Sequence, residues 1–119
     1  MRNQISGQNG EDVALEYLRQ KGYTILGRNY RKRCGEIDLI AFDPTNKELT
    51  FIEVKLRKNL VFGTPEESIT AKKWQRIIKT AQWWLNEKKR AETRWRVDLI
   101  AIEYINDKIN INHIQNISL

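Results

Sequence analysis

The chain has 119 residues, 40% of them hydrophobic and 9% aromatic, which suits one packed domain and excludes a disordered composition. The net charge of +6 points to a polyanionic partner, nucleic acid or an anionic membrane surface, with a basic surface kept for solubility as the plain alternative. One cysteine, Cys34, excludes an internal disulfide framework or a cysteine zinc site and fits a reducing cytoplasm. No apolar run reaches the roughly 20 residues of a membrane span, and the polar start MRNQISGQNGED has no signal-peptide core.

There is no internal repeat, low-complexity tract or linker, so residues 1–119 read as one domain. EDVALEYLRQKG predicts a helix that Gly22 ends, with Ser6 or Asn9 as cap and acids in the first turn. YTILGRNY is a strand, RKRCG a basic turn, EIDLIAF a strand, DPTNK a turn and LTFIEVKLR the returning strand. NLVFGTP is a loop. A long helix follows from about Glu66 to Arg90, with Trp74, Ile77, Ile78, Ala81, Trp84 and Leu85 at helical spacing on its buried face. WRVDLIAIEYI is a strand, Asn106-Asp107 a turn and KININHI the last strand. The order αβββαββ predicts an α/β domain with one mixed sheet and helices packed against it.

The hairpin GEIDLIAFDPTNKELTFIEVKLR carries charges inside apolar runs. Alternation puts Ile37, Leu39 and Ala41 on one face and Glu36, Asp38 and Ile40 on the other. On the returning strand it puts Ile52, Val54 and Leu56 on one face and Phe51, Glu53 and Lys55 on the other. If the turn centres between Thr45 and Asn46, Asp38 lies opposite Glu53, and Glu36 opposite Lys55. Two carboxylates then approach within roughly 5 Å at Cβ, which is destabilising unless a positive charge sits between them. Mg²⁺ or Mn²⁺ would supply it through oxygen ligands, polarising a phosphoryl oxygen and acidifying a water. Lys55 could stabilise the charge that develops on phosphate. The set suits metal-assisted phosphodiester hydrolysis; the alternative is an exposed sheet face laced with ion pairs such as Glu36–Lys55. Glu11 shares the apolar side of the first helix with Ala14, Leu15 and Leu18, while Asp12, Glu16, Arg19 and Gln20 face solvent. It reads either as a further metal ligand or as a first-turn acid favouring the helix dipole.

On the long helix Lys72, Arg76, Lys79, Trp83 and Arg90 form a stripe beside the apolar face, suited to phosphate contacts and base stacking. The alternative is a solvated face with Trp83 half-buried, and packing is preferred for Trp83 because a lone aromatic beside a core stripe usually packs. Lys73, at the edge of the inward face, is an auxiliary phosphate contact. Arg57 and the turn residues Arg31, Lys32 and Arg33 read as phosphate contacts or as surface charge. His113 has no acidic companion nearby in sequence and reads as structural or exposed. Asp98, inside a strand, reads as a structural hydrogen-bonding group.

An acid on the first helix, then Asp, then Glu-x-Lys on a hairpin resembles the PD-(D/E)xK nuclease superfamily. More closely, G-x-x-G-E-D-x-A-x-x-Y-L, N-Y-R, G-E-I-D-L-I-A, F-I-E-V-K-x-R, S-I-T-x-x-K and R-x-D-L-I-A resemble the YraN-like family of uncharacterised proteins, which is similar to archaeal Holliday junction resolvases. The resemblance implies a restriction-endonuclease-like core and a metal-dependent endonuclease acting on DNA, including branched DNA. It also implies Mg²⁺ or Mn²⁺ as cofactor, a homodimer, and Glu11, Asp38, Glu53 and Lys55 in the active site. Ile37 stands where the superfamily's proline would be. The alternative function is a non-catalytic nucleic-acid-binding module on the same fold.

Overall fold

The computed structural model describes residues 7–58 and 65–117. Helix α1 (Gly7–Gln20) leads into strands β1 (Thr24–Lys32), β2 (Gly35–Asp43) and β3 (Glu48–Lys58). A 3₁₀ turn (Pro65–Ser68), helix α2 (Ala71–Glu87) and strands β4 (Trp95–Ile105) and β5 (Lys108–Ile114) follow. The strands form one mixed sheet in the order β1-β2-β3-β4-β5. β3 and β4 are parallel and the other neighbours antiparallel. The parallel step requires a crossover, and α2 supplies it. Among the described residues no helix is long and apolar enough to cross a membrane.

One helix covers each face of the sheet. Ala14, Leu15 and Leu18 of α1 pack on Leu39, Ala41, Ile52, Ile100 and Ile102. Ile77, Ala81, Trp84 and Leu85 of α2 pack on Ile40, Phe51, Val97 and Leu99. Phe51 meets Trp84 and Trp95 edge-on, with ring centroids 5.7 and 5.6 Å apart, the geometry that aromatic quadrupoles favour. The expected inward stripe of α2 is present, with Trp74 and Ile78 at its margin; Thr80 is also buried there, its hydroxyl donating to the Arg76 carbonyl.

Several boundaries differ from expectation. α1 already includes Gly7, so Asn9 is not its cap and Glu11 and Asp12 lie beyond its first turn; Ser6 falls outside the described residues. Gly22 does end this helix, at φ +89, with Tyr23 N–H donating to the Leu18 carbonyl. Arg31 and Lys32 extend β1, leaving Arg33 and Cys34 as the turn. Most of the NLVFGTP loop lies outside the described residues. α2 starts at Ala71 because the Thr70 hydroxyl caps it, accepting from Lys73 N–H at 3.1 Å. It ends at Glu87, so Arg90 is not on its stripe. Asn106 and Asp107 both take positive φ in the β4–β5 turn, as a two-residue hairpin loop requires.

The β2–β3 register is the expected one, with Leu39 opposite Ile52 and Ile40 opposite Phe51. The faces of β2 are not. Ile37 and Ile40 pack on the α2 side, while Leu39 and Ala41 pack on the α1 side. Alternation therefore slips by one residue at Asp38. β1 slips at the same level: Arg28 reaches Asp12 of α1, yet Tyr30 packs on the α2 side. Asn29 lies between them with φ 52, across from Asp38 in the β1–β2 pairing. Asn enters this left-handed region more readily than most residues. The hairpin tip thus turns over at Asn29 and Asp38 and lies against α2. The fit there is tight: a Cβ on Gly35 would stand 2.9 Å from Thr80 Oγ1 and 3.1 Å from Arg76 Cβ.

Candidate active site

The slip leaves Asp38 free of the ladder that holds its neighbours. Its carboxylate accepts a hydrogen bond from Val54 N–H at 2.8 Å, just past the Leu39–Ile52 pair where the β2–β3 pairing stops. The Asp38 carboxyl is pushed up to about 7, first of all by burial. Glu53 contributes to that rise, as a neighbouring charge and as a hydrogen-bond partner for the protonated acid, and the Glu11 charge adds to it. The Val54 N–H opposes all three. Asp38 and Glu53 therefore come together as the register implies.

A groove of ≈ 580 Å³ opens beside this pair, between the hairpin and the N-terminal half of α2. Arg31, Lys32, Lys73 and Arg76 line it with Glu36, Asp38 and Glu53, four cations to three acids. Lys73 Nζ sits 2.5 Å from Glu53 Oε2. Arg31 pairs with Glu36 at 3.2 Å, so the alternative Glu36–Lys55 ion pair is not what occupies Glu36.

The other expected residues take varied positions. Glu11 lies on the α1 side, its carboxylate 4.0 Å from the Arg28 guanidinium, and it reaches Asp38 only through its charge. A dipole role for Glu11 is weakened, since that effect fades beyond the first turn. Lys55 follows Glu53 on the α2 side of β3 but does not line the groove. Among the described residues its ammonium has no ion-pair partner. Lys72 and Lys79 are exposed on α2, and Arg33 is exposed in the hairpin turn. Arg57 is not a surface cation: it is 8% exposed and pairs with Glu103 at 3.9 Å. Trp83 does not pack into the core; it is 54% exposed.

Away from the groove, His113 does have an acidic companion. β4–β5 pairing brings its Nε2 to 2.7 Å from Asp98 Oδ2, and Tyr17 meets Nδ1 at 3.1 Å. Asp98 also accepts from Arg96 and from Asn116 N–H, the structural role expected of it. Arg96 donates to Asp43 and Glu48 as well; despite burial, the hydrogen bond from Arg96 holds the Asp43 carboxyl below its usual range, and those with His113 and Arg96 hold the Asp98 carboxyl there. The sequence signal for this anchor was an Arg between Trp95 and Val97 in an apolar strand.

The donor chemistry suits a hard divalent cation only in part. Asp38 and Glu53 offer adjacent oxygen ligands beside an open groove, where water and phosphate oxygens could complete a coordination shell. Among the described residues no three His, Cys, Asp or Glu side chains stand together as a ready metal cage.

Fold and site define a mixed α/β fold with a five-stranded sheet, a helix on each face and an acidic pair in the lining of a groove that also holds four cations. The chain belongs to the uncharacterised protein family UPF0102, whose pattern it matches over residues 10–102. It is 47% identical to a UPF0102 protein of Persephonella marina over 112 residues, 94% of this chain and 91% of the relative. It is 42% identical to one of Alkaliphilus oremlandii over 116 residues, 96% and 97% of the two chains. A UPF0102 protein of Carboxydothermus hydrogenoformans is 41% identical over 117 residues, 98% of each.

Proposed function

We propose that this protein is a metal-dependent endonuclease of the PD-(D/E)xK type on a restriction-endonuclease-like core, hydrolysing DNA phosphodiester bonds, branched DNA among its substrates. The observation that carries the reading is the Asp38–Glu53 pair, two carboxyls held together although burial and the neighbouring Glu53 push the Asp38 carboxyl up. Such a pair is costly in a domain that gains nothing from it.

Asp38 and Glu53 would hold Mg²⁺ or Mn²⁺, with Glu11 contributing negative charge from behind. The chemistry the ion supplies when bound is polarisation of a phosphoryl oxygen and acidification of a water. Arg76 and Arg31, which line the groove, would seat the phosphate through charge-assisted hydrogen bonds. Lys73, which pairs with Glu53, would balance charge on the phosphate if that carboxylate held the ion. Lys55, on the same strand face, holds a second positive charge in reserve. The resemblance to junction resolvases supports a homodimer, since paired cuts call for two sites.

The test compares wild type with Asp38→Ala and Glu53→Ala on supercoiled, single-stranded and four-way-junction DNA, with Mg²⁺ or Mn²⁺. Cleavage by wild type alone is the expected result. Cleavage that survives both substitutions refutes the site. A second reading, a binding module without turnover, draws on the Lys73–Glu53 ion pair, which already neutralises one of the two carboxylates. Salt-sensitive binding with no cleavage under either metal would favour it.

A further inference from the structure

The hairpin tip pressed against α2 divides the basic surface into two depressions. One is the groove described above. The other, of ≈ 280 Å³, is lined by Cys34, Lys79, Gln82, Trp83 and Asn86. Cys34 Sγ touches Thr80 Oγ1 at 3.4 Å and marks the ridge between them. Lys32 spans the ridge: it lines the groove, and its ammonium lies 5.9 Å from the centre of the Trp83 ring.

Of the chain's four tryptophans, Trp74, Trp84 and Trp95 pack against the α2-side core. Trp83 stays out and is the most exposed large apolar side chain among the described residues, ahead of Ile109 at 47% and Leu26 at 39%. Its neighbours are polar rather than apolar. Gln82 and Asn86 present amide donors and acceptors of the kind that read base edges. Lys79 brings an ammonium to this depression and no carboxylate lines it; the Glu87 carboxylate nearby is engaged by Lys32 and Tyr30. A protein partner burying Trp83 in an apolar interface would want hydrophobic neighbours, and none line the depression.

We propose that Trp83 is a stacking platform for one unpaired nucleobase, held by Gln82, Asn86 and Lys79 on the strand that crosses the Asp38–Glu53 groove. Arg76 lines the groove and Trp83 lies seven residues further along α2, roughly 10 Å at helical rise. That is about three nucleotide steps of 3.4 Å. The substrate class is therefore DNA with single-stranded character a few nucleotides from the scissile phosphate, such as a flap or a frayed branch point, rather than uninterrupted duplex. This rests on the nuclease reading for its scissile phosphate, but base stacking needs no turnover.

The experiment is fluorescence anisotropy in EDTA, with a labelled oligothymidine 12-mer and a duplex of the same length, on wild type, Trp83→Ala and Trp83→Phe. Stacking on one base predicts that Trp83→Ala weakens binding to the single strand roughly 5- to 150-fold. Trp83→Phe keeps affinity within a few-fold of wild type, duplex affinity is unchanged, and the salt slope is unaltered because no phosphate contact is lost. Equal losses on single strand and duplex, or Trp83→Phe as weak as Trp83→Ala, overturn the proposal. So does wild-type affinity in Trp83→Ala, or a dimer that Trp83→Ala converts to monomer in sedimentation. A Trp83 effect without cleavage of any substrate refutes only the nuclease reading. Cleavage lost in Asp38→Ala, with no Trp83 effect on binding, refutes only this one.

Discussion

Replacing Asp38 by asparagine should stabilise the metal-free protein, and increasingly so as pH rises. A carboxyl raised from 3.8 to about 7 is disfavoured as the anion by roughly 4 kcal/mol. Between about pH 4 and pH 7 the native state keeps a proton that the unfolded chain has released, so wild-type stability falls with pH across that window. Below pH 4 both states hold the proton and the penalty is absent; above pH 7 it is fully present. Asparagine has no proton to lose, and its amide oxygen can still accept from Val54 N–H. Partial solvent access screens the charge, so the expected gain for Asp38→Asn is roughly 2–4 kcal/mol at pH 8 and near zero at pH 4. Urea unfolding in EDTA from pH 4 to 8.5 measures it. A difference between the two proteins that stays flat with pH, or grows toward acid, would refute the reasoning.

Lys73→Ala removes the cation nearest the pair, so the Asp38 titration midpoint should move higher still, followed by carboxyl carbon NMR; an unchanged midpoint would mean the Lys73–Glu53 contact does not persist. Arg96→Met should lower the melting temperature by roughly 10–20 °C, because stranding Asp43 and Asp98 without their cation costs about 3–5 kcal/mol. Calorimetry showing a shift under about 5 °C would count against a tightly held network. Asn29→Val should cost roughly 1–2 kcal/mol by forcing a β-branched residue into left-handed backbone, while Asn29→Gly stays close to wild type; equal chemical-denaturation midpoints for the two would show that Asn29 does not set the turnover of the hairpin.

The hairpin register was legible because DPTNK fixes where β2 turns into β3, and a fixed turn fixes which residues oppose. The buried stripe of α2 was legible because helical spacing needs only local sequence. The slip at Asp38 was not, since it depends on Asn29, a residue on another strand, and on α2 drawing the tip toward itself. Arg57 looked like any surface cation because its partner, Glu103, lies 46 residues on and arrives only through β3–β4 pairing. His113 seemed alone for the same reason, since Asp98 meets it across β4 and β5. Trp83 was misjudged from its neighbours: a tryptophan beside a core stripe usually packs, but this one lies on the side that the hairpin tip leaves open.

The crossover between β3 and β4 has a consequence for the order of events during folding. The acids Asp38 and Glu53 belong to a local hairpin, which can close early at small loop entropy. The cations Lys73 and Arg76 belong to the crossover helix, which docks only once β4 has found β3 across a long stretch of chain. A partly folded chain therefore displays Asp38 and Glu53 beside Arg31 and Lys32, but without Lys73 and Arg76. Two of the four cations that line the groove thus arrive with the hairpin and two with the crossover helix, so the groove has both its walls only when the last large piece of the protein is in place.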